Sequence, residues 1–79
     1  MKDIAIYGAG GFGREVACLI RIINKKTPQW NLIGFFDDDE KLKDTRNEYG
    51  EVIGGIEELN NYNHPLAIAI AIGSPKTVA

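Results

Sequence analysis

The sequence predicts an α/β fold built on a small parallel sheet of about four strands. Short apolar segments with the length of strands alternate along the chain with helical or polar segments. Two of them, residues 4–7 and 66–72, are apolar at every position, which is typical of strands covered on both faces. The first runs directly into a glycine-rich turn, residues 8–13, that leads into a helical segment. This order of strand, turn and helix is typical of the first unit of a parallel sheet.

Composition and charge limit the possible classes of function. The 79 residues suffice for one small domain, 1–79, and the hydrophobic fraction of 44% permits a packed core. The net charge of −2 provides no basic surface for nucleic acid, and no basic cluster indicates a membrane surface. The single cysteine, Cys18, cannot form an internal disulfide and is interpreted as a packed structural thiol. We expect a cytoplasmic protein, because the sequence shows no signal-peptide pattern and no apolar run of about 18 residues.

The glycine-rich turn is the main functional signal. Gly8, Gly10 and Gly13 match the spacing G-x-G-x-x-G. In a strand–turn–helix unit the first glycine permits the tight turn, the second lets a phosphate approach the backbone, and the third lets helix and strand pack closely. No side chain at the start of this helix can cap it, so its first N–H groups are free at the positive end of the helix dipole. We therefore predict a site for the phosphates of a nucleotide.

The first helix is predicted over residues 12–26. One helical face of this segment is apolar and is expected to pack on the sheet; its members are Phe12, Val16, Leu19, Ile20 and Ile23. Cys18 and Ile22 lie beside that face, where they fit either the edge of the core or a contact with a partner, and we favour the edge of the core.

The other elements follow from apolar runs and turn residues. Strands are predicted over residues 2–7, 31–36, 51–53 and 66–72. Residues 40–50 are polar and are predicted to form a surface loop, whereas residues 56–61 form a short helix.

The fourth predicted strand is expected to be buried on both faces. One face carries only Ala67, Ala69 and Ala71, so a helix can approach it closely. Ser74 and Pro75 then form a favourable start for another helix, which is truncated at Ala79 after about one turn. We therefore expect the chain to be a fragment of a longer protein, and to expose apolar surface on one face of its sheet.

The topology predicts where a ligand binds. Strands joined by right-handed crossovers give the order 3-2-1-4 with helices on both faces, which is half of a doubly wound, Rossmann-like fold. Ligands of such sheets bind at the carboxyl ends of the strands, where the winding reverses between strands one and four. Three segments are expected to meet there: residues 8–13, the acidic run 37–39, and Gly73 with Ser74.

The acidic run is the second part of the predicted site. Asp37 follows Gly13 by 24 residues, close to the place of the acid that binds a ribose hydroxyl in dinucleotide-binding folds. A carboxylate there repels a 2′-phosphate, so NAD or another nucleotide fits and NADP does not. The alternative is that Asp37 and Asp38 belong to a solvated acidic turn and contact no ligand.

Catalytic and metal-binding residues are not predicted. His64 is the only histidine, lies in a polar loop and is interpreted as a surface residue. The sequence contains no cluster of cysteine and histidine for a metal, and three consecutive aspartates cannot all point inward at one ion.

Four spaced motifs together resemble one protein family. They are IYGAGGFGREV at residues 6–16, GFFDDD at 34–39, VIGG at 52–55 and IAIGSP at 70–75. In this order they are similar to the N-terminal domain of the sialic-acid O-acetyltransferases and PglD-like sugar acetyltransferases. The resemblance covers nearly all of the chain.

This resemblance implies a two-domain enzyme. Its N-terminal domain holds the substrate, a nucleotide-linked sugar and possibly a UDP-linked one. A second domain, a left-handed β-helix of hexapeptide repeats, binds acetyl-CoA, carries the catalytic histidine and forms a homotrimer. The implied substrate-binding residues of this chain are Gly8, Gly10, Gly11, Phe12, Gly13, Asp37, Asp38, Gly73 and Ser74.

The family's second domain is absent from this sequence, which contains no tandem hexapeptide repeat. We therefore expect no catalytic residue and no cofactor in this chain, and no acetyl transfer by it alone. Two alternatives remain: the nucleotide-binding half of an NAD-dependent oxidoreductase, and a nucleotide-sensing module without catalytic activity.

Overall fold

A five-stranded sheet organises residues 1–71, the part of the chain that a computed structural model describes. The strands are β1 Lys2–Tyr7, β2 Trp30–Phe36, β3 Arg46–Asn47, β4 Gly50–Gly54 and β5 Ala67–Ile70, and the helices are α1 Gly11–Lys26 and α2 Ile56–Asn60. The spatial order is β3-β4-β2-β1-β5, and every pairing is parallel except that of β3 with β4. The predicted order 3-2-1-4 is confirmed as β4-β2-β1-β5.

The direction of each crossover determines the face of the sheet on which its helix lies. The connection through α1 runs from β1 to β2, whereas the connection through α2 runs the opposite way across the sheet, from β4 to β5. Right-handed crossovers in opposite directions place the two helices on opposite faces. α1 packs on β1 and β2, and α2 contacts β4 and β2.

The core lies between α1 and the sheet. Ile6 of β1 and Phe35 of β2 are fully buried, and Val52 of β4 lies beside them. From the helix, Ala17 and Ile20 pack into the same cluster. Burial of each large side chain contributes about 1.5–3 kcal/mol, so this cluster is a main source of stability.

The face of α1 that packs on the sheet differs from the predicted one. Of the predicted stripe only Ile20 is buried, while the exposed fractions of Phe12, Leu19 and Ile23 are 51%, 58% and 42%. The buried positions are instead Gly13, Ala17 and Ile20. They lie one position further along the chain than the predicted stripe, which is a rotation of about 100°.

Close approach explains this rotation. Small residues at Gly13 and Ala17 let the helix axis come near the sheet, and Asn24 continues the same face. The side-chain amide of Asn24 donates to the Trp30 carbonyl at 2.8 Å and accepts from the backbone N–H groups of Gln29 and Trp30 at 3.1 Å. Ile22 also turns outward and is 52% exposed, so its expected place at the core edge is wrong, whereas Cys18 is half-buried.

β5 is half-buried on one face and exposed on the other. Ala67 and Ala69 pack against the core, but Ile68 and Ile70 are 37% and 71% exposed. The expectation of burial on both faces is therefore wrong for this strand, because β5 is the outer strand beside β1 and α2 contacts β4 and β2. The expectation that one face of the sheet exposes apolar surface is confirmed.

The segment 40–50 is more ordered than a loop. It contains a 3-10 turn, Glu40–Leu42, and the strand β3, which pairs with β4 through a tight turn. The Asn47 side chain accepts from the Tyr49 backbone N–H at 2.8 Å and shapes that turn. The helix predicted to begin at Ser74 lies outside the described residues.

Candidate anion-binding site

The carboxyl ends of four strands meet at one edge of the sheet, as the topology predicts. The Gly8 N–H donates to the Phe36 carbonyl at 2.7 Å and links the end of β1 to β2. The Asp37 N–H donates to Gly54 at 2.8 Å, and the Ala71 N–H donates to Tyr7 at 2.8 Å. The loops that follow these strands are therefore neighbours.

The fold itself requires two glycines of the predicted motif. Gly8 has a φ of +120°, a conformation that side chains disfavour. A Cβ placed on Gly13 would lie 2.0 Å from the Gly8 carbonyl oxygen, so only glycine permits α1 to pack this closely. These contacts agree with the structural roles that the spacing assigns to the first and third glycine.

The fold does not require the other two glycines. A Cβ on Gly10 or on Gly11 would meet nothing within 4 Å. Gly10 is the N-cap of α1, has an ordinary φ of −78° and makes no side-chain cap, and the first turn carries no acidic residue. The start of α1 therefore presents unhindered backbone and free N–H groups, which suits an anion that approaches closely.

A cleft of about 200 Å³ lies in front of this helix start. Its lining includes Gly10 and Gly11 of the loop, Arg14 of α1, and Thr45, Arg46 and Asn47 of the segment that contains β3. None of the lining residues is acidic. None of the side-chain hydrogen bonds within residues 1–71 uses the guanidinium of Arg14 or Arg46. Two arginine residues, no acidic residue and a helix start thus give the lining of this cleft a positive charge.

A second cavity, of about 340 Å³, has the opposite charge. Its lining includes one lysine, Lys43, and six acids, Asp37, Asp38, Asp39, Glu40, Glu57 and Glu58. This cavity disfavours a phosphate. The strand ends therefore separate a basic cleft at the start of α1 from an acidic cavity at the start of α2.

Asp37 connects the acidic run to the glycine loop. One of its carboxylate oxygens accepts from the Ala9 N–H at 2.9 Å, and the other accepts from the Asp39 N–H at 2.8 Å. The side chain lies where the sequence predicts a ribose-binding acid, and both of its oxygens contact protein donors.

Asp38 is held on the other side of the same strand end. It accepts from the Tyr7 hydroxyl and from the Ile56 N–H, the latter at 2.7 Å, and so caps α2. The hydrogen bond from Tyr7 is the main reason that the pKa of Asp38 is lowered, and the bond from Ile56 adds to it. The same bond to Asp38 raises the pKa of Tyr7, together with burial and the nearby carboxylate charges.

The predicted site residues fall into distinct places. Gly10 and Gly11 line the basic cleft, whereas Asp37 and Asp38 line the acidic cavity. Phe12 is half exposed at the start of α1. Gly73 and Ser74 lie outside the described residues. Contact of these residues with a ligand stays a prediction.

Sequence reasoning missed the basic side of the cleft. The sequence predicts a surface loop at Thr45 and Arg46, because a two-residue strand has no periodicity to detect. The available signal is Asn47 at the first and Gly50 at the fourth position of a four-residue turn, which are favoured places for asparagine and glycine in a turn that joins two strands.

Metal-binding groups, membrane spans and the single histidine complete the description of residues 1–71. Among these residues no group of three or more histidine, cysteine or acidic side chains is placed to hold a metal ion. No helix in the described range is both long and apolar enough to cross a membrane. His64 is exposed, as predicted, and contacts the Tyr62 ring edge-on.

Comparison with known proteins identifies a family. Residues 3–77 match the family described as the PglD N-terminal domain. No curated protein and no solved structure matches the chain.

Proposed function

The chain belongs to the PglD N-terminal domain family, and on that premise we propose that it binds the substrate of a sugar acetyltransferase, a nucleotide-linked sugar. The phosphates occupy the basic cleft at the start of α1. The nucleoside lies toward the end of β2, on the side of Asp37 and Asp38. The sugar extends from the second phosphate.

The observation that carries this proposal is the open space at Gly10 and Gly11. The backbone has no need of glycine at either position, since a Cβ would contact nothing there. Absence of both side chains does, however, let a phosphate reach the free N–H groups of the first turn of α1. A ligand that fills this space would explain two glycines that packing leaves unexplained.

Charge supports a ligand with more than one phosphate. Arg14 and Arg46 line the same cleft as the helix start. Arginine binds phosphate oxygens in a planar, two-pronged geometry, so two arginines at one cleft suit the two phosphates of a nucleoside diphosphate. We propose UDP as the nucleotide part of the substrate.

The chemistry of acetyl transfer is assigned to a second domain of the parent protein. There, acetyl-CoA is the donor and a histidine is the general base that deprotonates the sugar amine or hydroxyl. This domain contributes orientation and binding energy, because it holds the sugar by its nucleotide. The parent is proposed to be a homotrimer through that second domain.

Titration of the isotope-labelled chain with UDP and, separately, with NAD tests the proposal by amide NMR shifts. We expect UDP to shift the amides of Gly10, Gly11 and Gly13, and NAD to leave them unchanged. Shifts caused by NAD alone would favour the oxidoreductase alternative. If neither ligand shifts these amides at millimolar concentration, the proposed binding function of this chain is wrong.

A further inference from the structure

Asp37 contacts the glycine loop directly, and this contact changes its expected role. We propose that Asp37 is a positioning residue of the phosphate site, whose carboxylate holds the loop in its binding conformation and does not bind the ribose. This inference rests on the proposed function, since it concerns the same loop. The sequence pattern predicts that Asp37 recognises the ligand, whereas the structure favours a role in holding the glycine loop.

The geometry places Asp37 between two segments that must stay in register. Its carboxylate accepts from the Ala9 N–H at 2.9 Å, one residue before the N-cap Gly10. Its second oxygen accepts from the Asp39 N–H at 2.8 Å and so fixes the side chain on its own turn. The Gly8 N–H is bound to the Phe36 carbonyl at 2.7 Å. Two successive residues of the loop are thus tied to two successive residues at the end of β2.

Electrostatics also favour an action through the loop. A carboxylate beside a phosphate site repels the ligand, so direct contact with a diphosphate is unfavourable. As a charged acceptor, however, it makes a stronger hydrogen bond to a backbone N–H than a neutral group does. The bond also occupies the Ala9 N–H, which leaves the ligand the free donors of the first turn of α1.

The role of Asp37 differs from that of Asp38. Asp38 accepts from the Tyr7 hydroxyl and the Ile56 N–H, and therefore links β1 to the start of α2. It makes no hydrogen bond to the glycine loop. Of the two carboxylates that the sequence pattern assigns to the nucleoside, only Asp37 contacts the segment that is proposed to bind phosphate.

Two ligands separate the positioning role from ribose binding. Inorganic pyrophosphate has the phosphates of UDP but no ribose, and the affinities of both can be measured by NMR titration or calorimetry. We expect Asp37→Ala to lower the affinities for UDP and for pyrophosphate by the same factor, about tenfold. Asp37→Asn keeps one acceptor oxygen and should recover part of that loss for both ligands. Loss of UDP affinity with unchanged or improved pyrophosphate affinity would overturn the proposal.

A matched control accounts for the loss of one negative charge. Glu40→Ala removes a carboxylate from the same strand end, and the Glu40 side chain makes none of the hydrogen bonds at the glycine loop. We expect this variant to bind both ligands at least as well as the unaltered chain. An equal loss in Glu40→Ala would overturn the proposal, because the loss would then not depend on the hydrogen bond between Asp37 and the glycine loop.

Ligand-free measurements separate failure of this inference from failure of the proposed function. If the unaltered chain binds neither UDP nor pyrophosphate, the proposed function fails. The loop contact is then read from the Ala9 amide, whose hydrogen exchange should be about tenfold faster in Asp37→Ala and less affected in Asp37→Asn. Unchanged shift and exchange of the Ala9 amide would overturn the positioning role. Retained shift dispersion of the β1 and β2 amides shows that the variants fold.

Discussion

Gly13 of α1 lies directly against Gly8 at the end of β1, where a Cβ on Gly13 would stand 2.0 Å from the Gly8 carbonyl oxygen. This contact fixes the rotation of α1 about its axis. It turns Ala17 and Ile20 toward the sheet and leaves Leu19 on the outside. The same contact places the start of α1 beside the loop that is proposed to bind phosphate.

Gly13→Ala should lower the free energy of unfolding by about 3 kcal/mol, because the added methyl group overlaps backbone that cannot move without separating α1 from β1. Urea unfolding followed by circular dichroism measures the change. Gly11→Ala is the matched control, since a Cβ at Gly11 meets nothing and alanine has a higher helix propensity than glycine. Equal stability of the two variants would show that the Gly8–Gly13 contact does not hold the helix.

Gly11→Ala should weaken UDP binding without lowering stability. It keeps or raises stability, yet its methyl group enters the space proposed for a phosphate, so the affinity for UDP should fall at least tenfold. Gly10→Ala should weaken UDP binding in the same way, but at a small cost in stability, because Gly10 is the N-cap of α1 and alanine is less favourable than glycine there. Calorimetric titration of both variants, with unfolding curves measured in parallel, tests this separation of binding from stability. Unimpaired UDP binding by both variants would place the ligand elsewhere.

Substitutions on the two candidate faces of α1 test its orientation. Ala17→Leu enlarges a side chain that is 1% exposed and should cost about 1–3 kcal/mol. Leu19→Gln changes a side chain that is 58% exposed and should alter stability by less than about 0.5 kcal/mol. Chemical unfolding of both variants measures these changes in the free energy of unfolding and so tests the orientation of α1. A larger loss in Leu19→Gln than in Ala17→Leu would restore the orientation predicted from the apolar stripe.

The rotation of α1 shows what sequence periodicity can and cannot determine. The strand order follows from apolar runs, glycines and the handedness of crossovers, and it is confirmed. The helix bounds predicted from the same signals, 12–26 and 56–61, each lie within one residue of the observed bounds. The buried face does not follow, because periodicity weights large apolar side chains whereas the close approach of α1 depends on small ones. The periodicity therefore predicts that the face with Phe12 and Leu19 is buried. The buried face instead contains Gly13 and Ala17.

The candidate site also contains some residues that the sequence predicts and others that it does not. The glycine loop was predictable, because its spacing reflects backbone demands that appear in the sequence as Gly8 and Gly13. Arg46 was not, because its place in the cleft depends on the pairing of a two-residue strand with β4. The contact between Asp37 and Ala9 joins residues 28 positions apart and is visible only in three dimensions.

Arg46→Gln should weaken UDP binding about fivefold without changing stability, since an exposed charge on the cleft contributes about 1 kcal/mol to a charged ligand. The dependence of affinity on salt should also become shallower, because one attractive charge is removed. Lys43→Gln removes the same charge from the acidic cavity and serves as the control. Equal losses in the two variants would mean that net charge alone, and no contact with Arg46, attracts the ligand.

Tyr7→Phe should destabilise the chain in a way that depends on pH. The bond from Tyr7 lowers the folded-state pKa of Asp38 below its ordinary 3.8, so the stabilisation is present above that pH and is lost as pH falls through the lowered value. The same bond raises the pKa of Tyr7 above its ordinary 10.0, so the stabilisation is present below that pH and is lost as pH rises through the raised value.

The difference in unfolding free energy between the unaltered chain and Tyr7→Phe should therefore be largest between pH 3.8 and 10.0 and shrink on both sides. Urea unfolding across this range measures it, and carboxyl NMR should show that the Asp38 pKa rises in the variant. Tyr62→Phe removes a hydroxyl that makes neither of the hydrogen bonds to Asp38, so its effect on the free energy of unfolding should not follow the titration of Asp38 and Tyr7. A constant difference at all pH values would show that Tyr7 stabilises the fold through packing of its ring and not through Asp38.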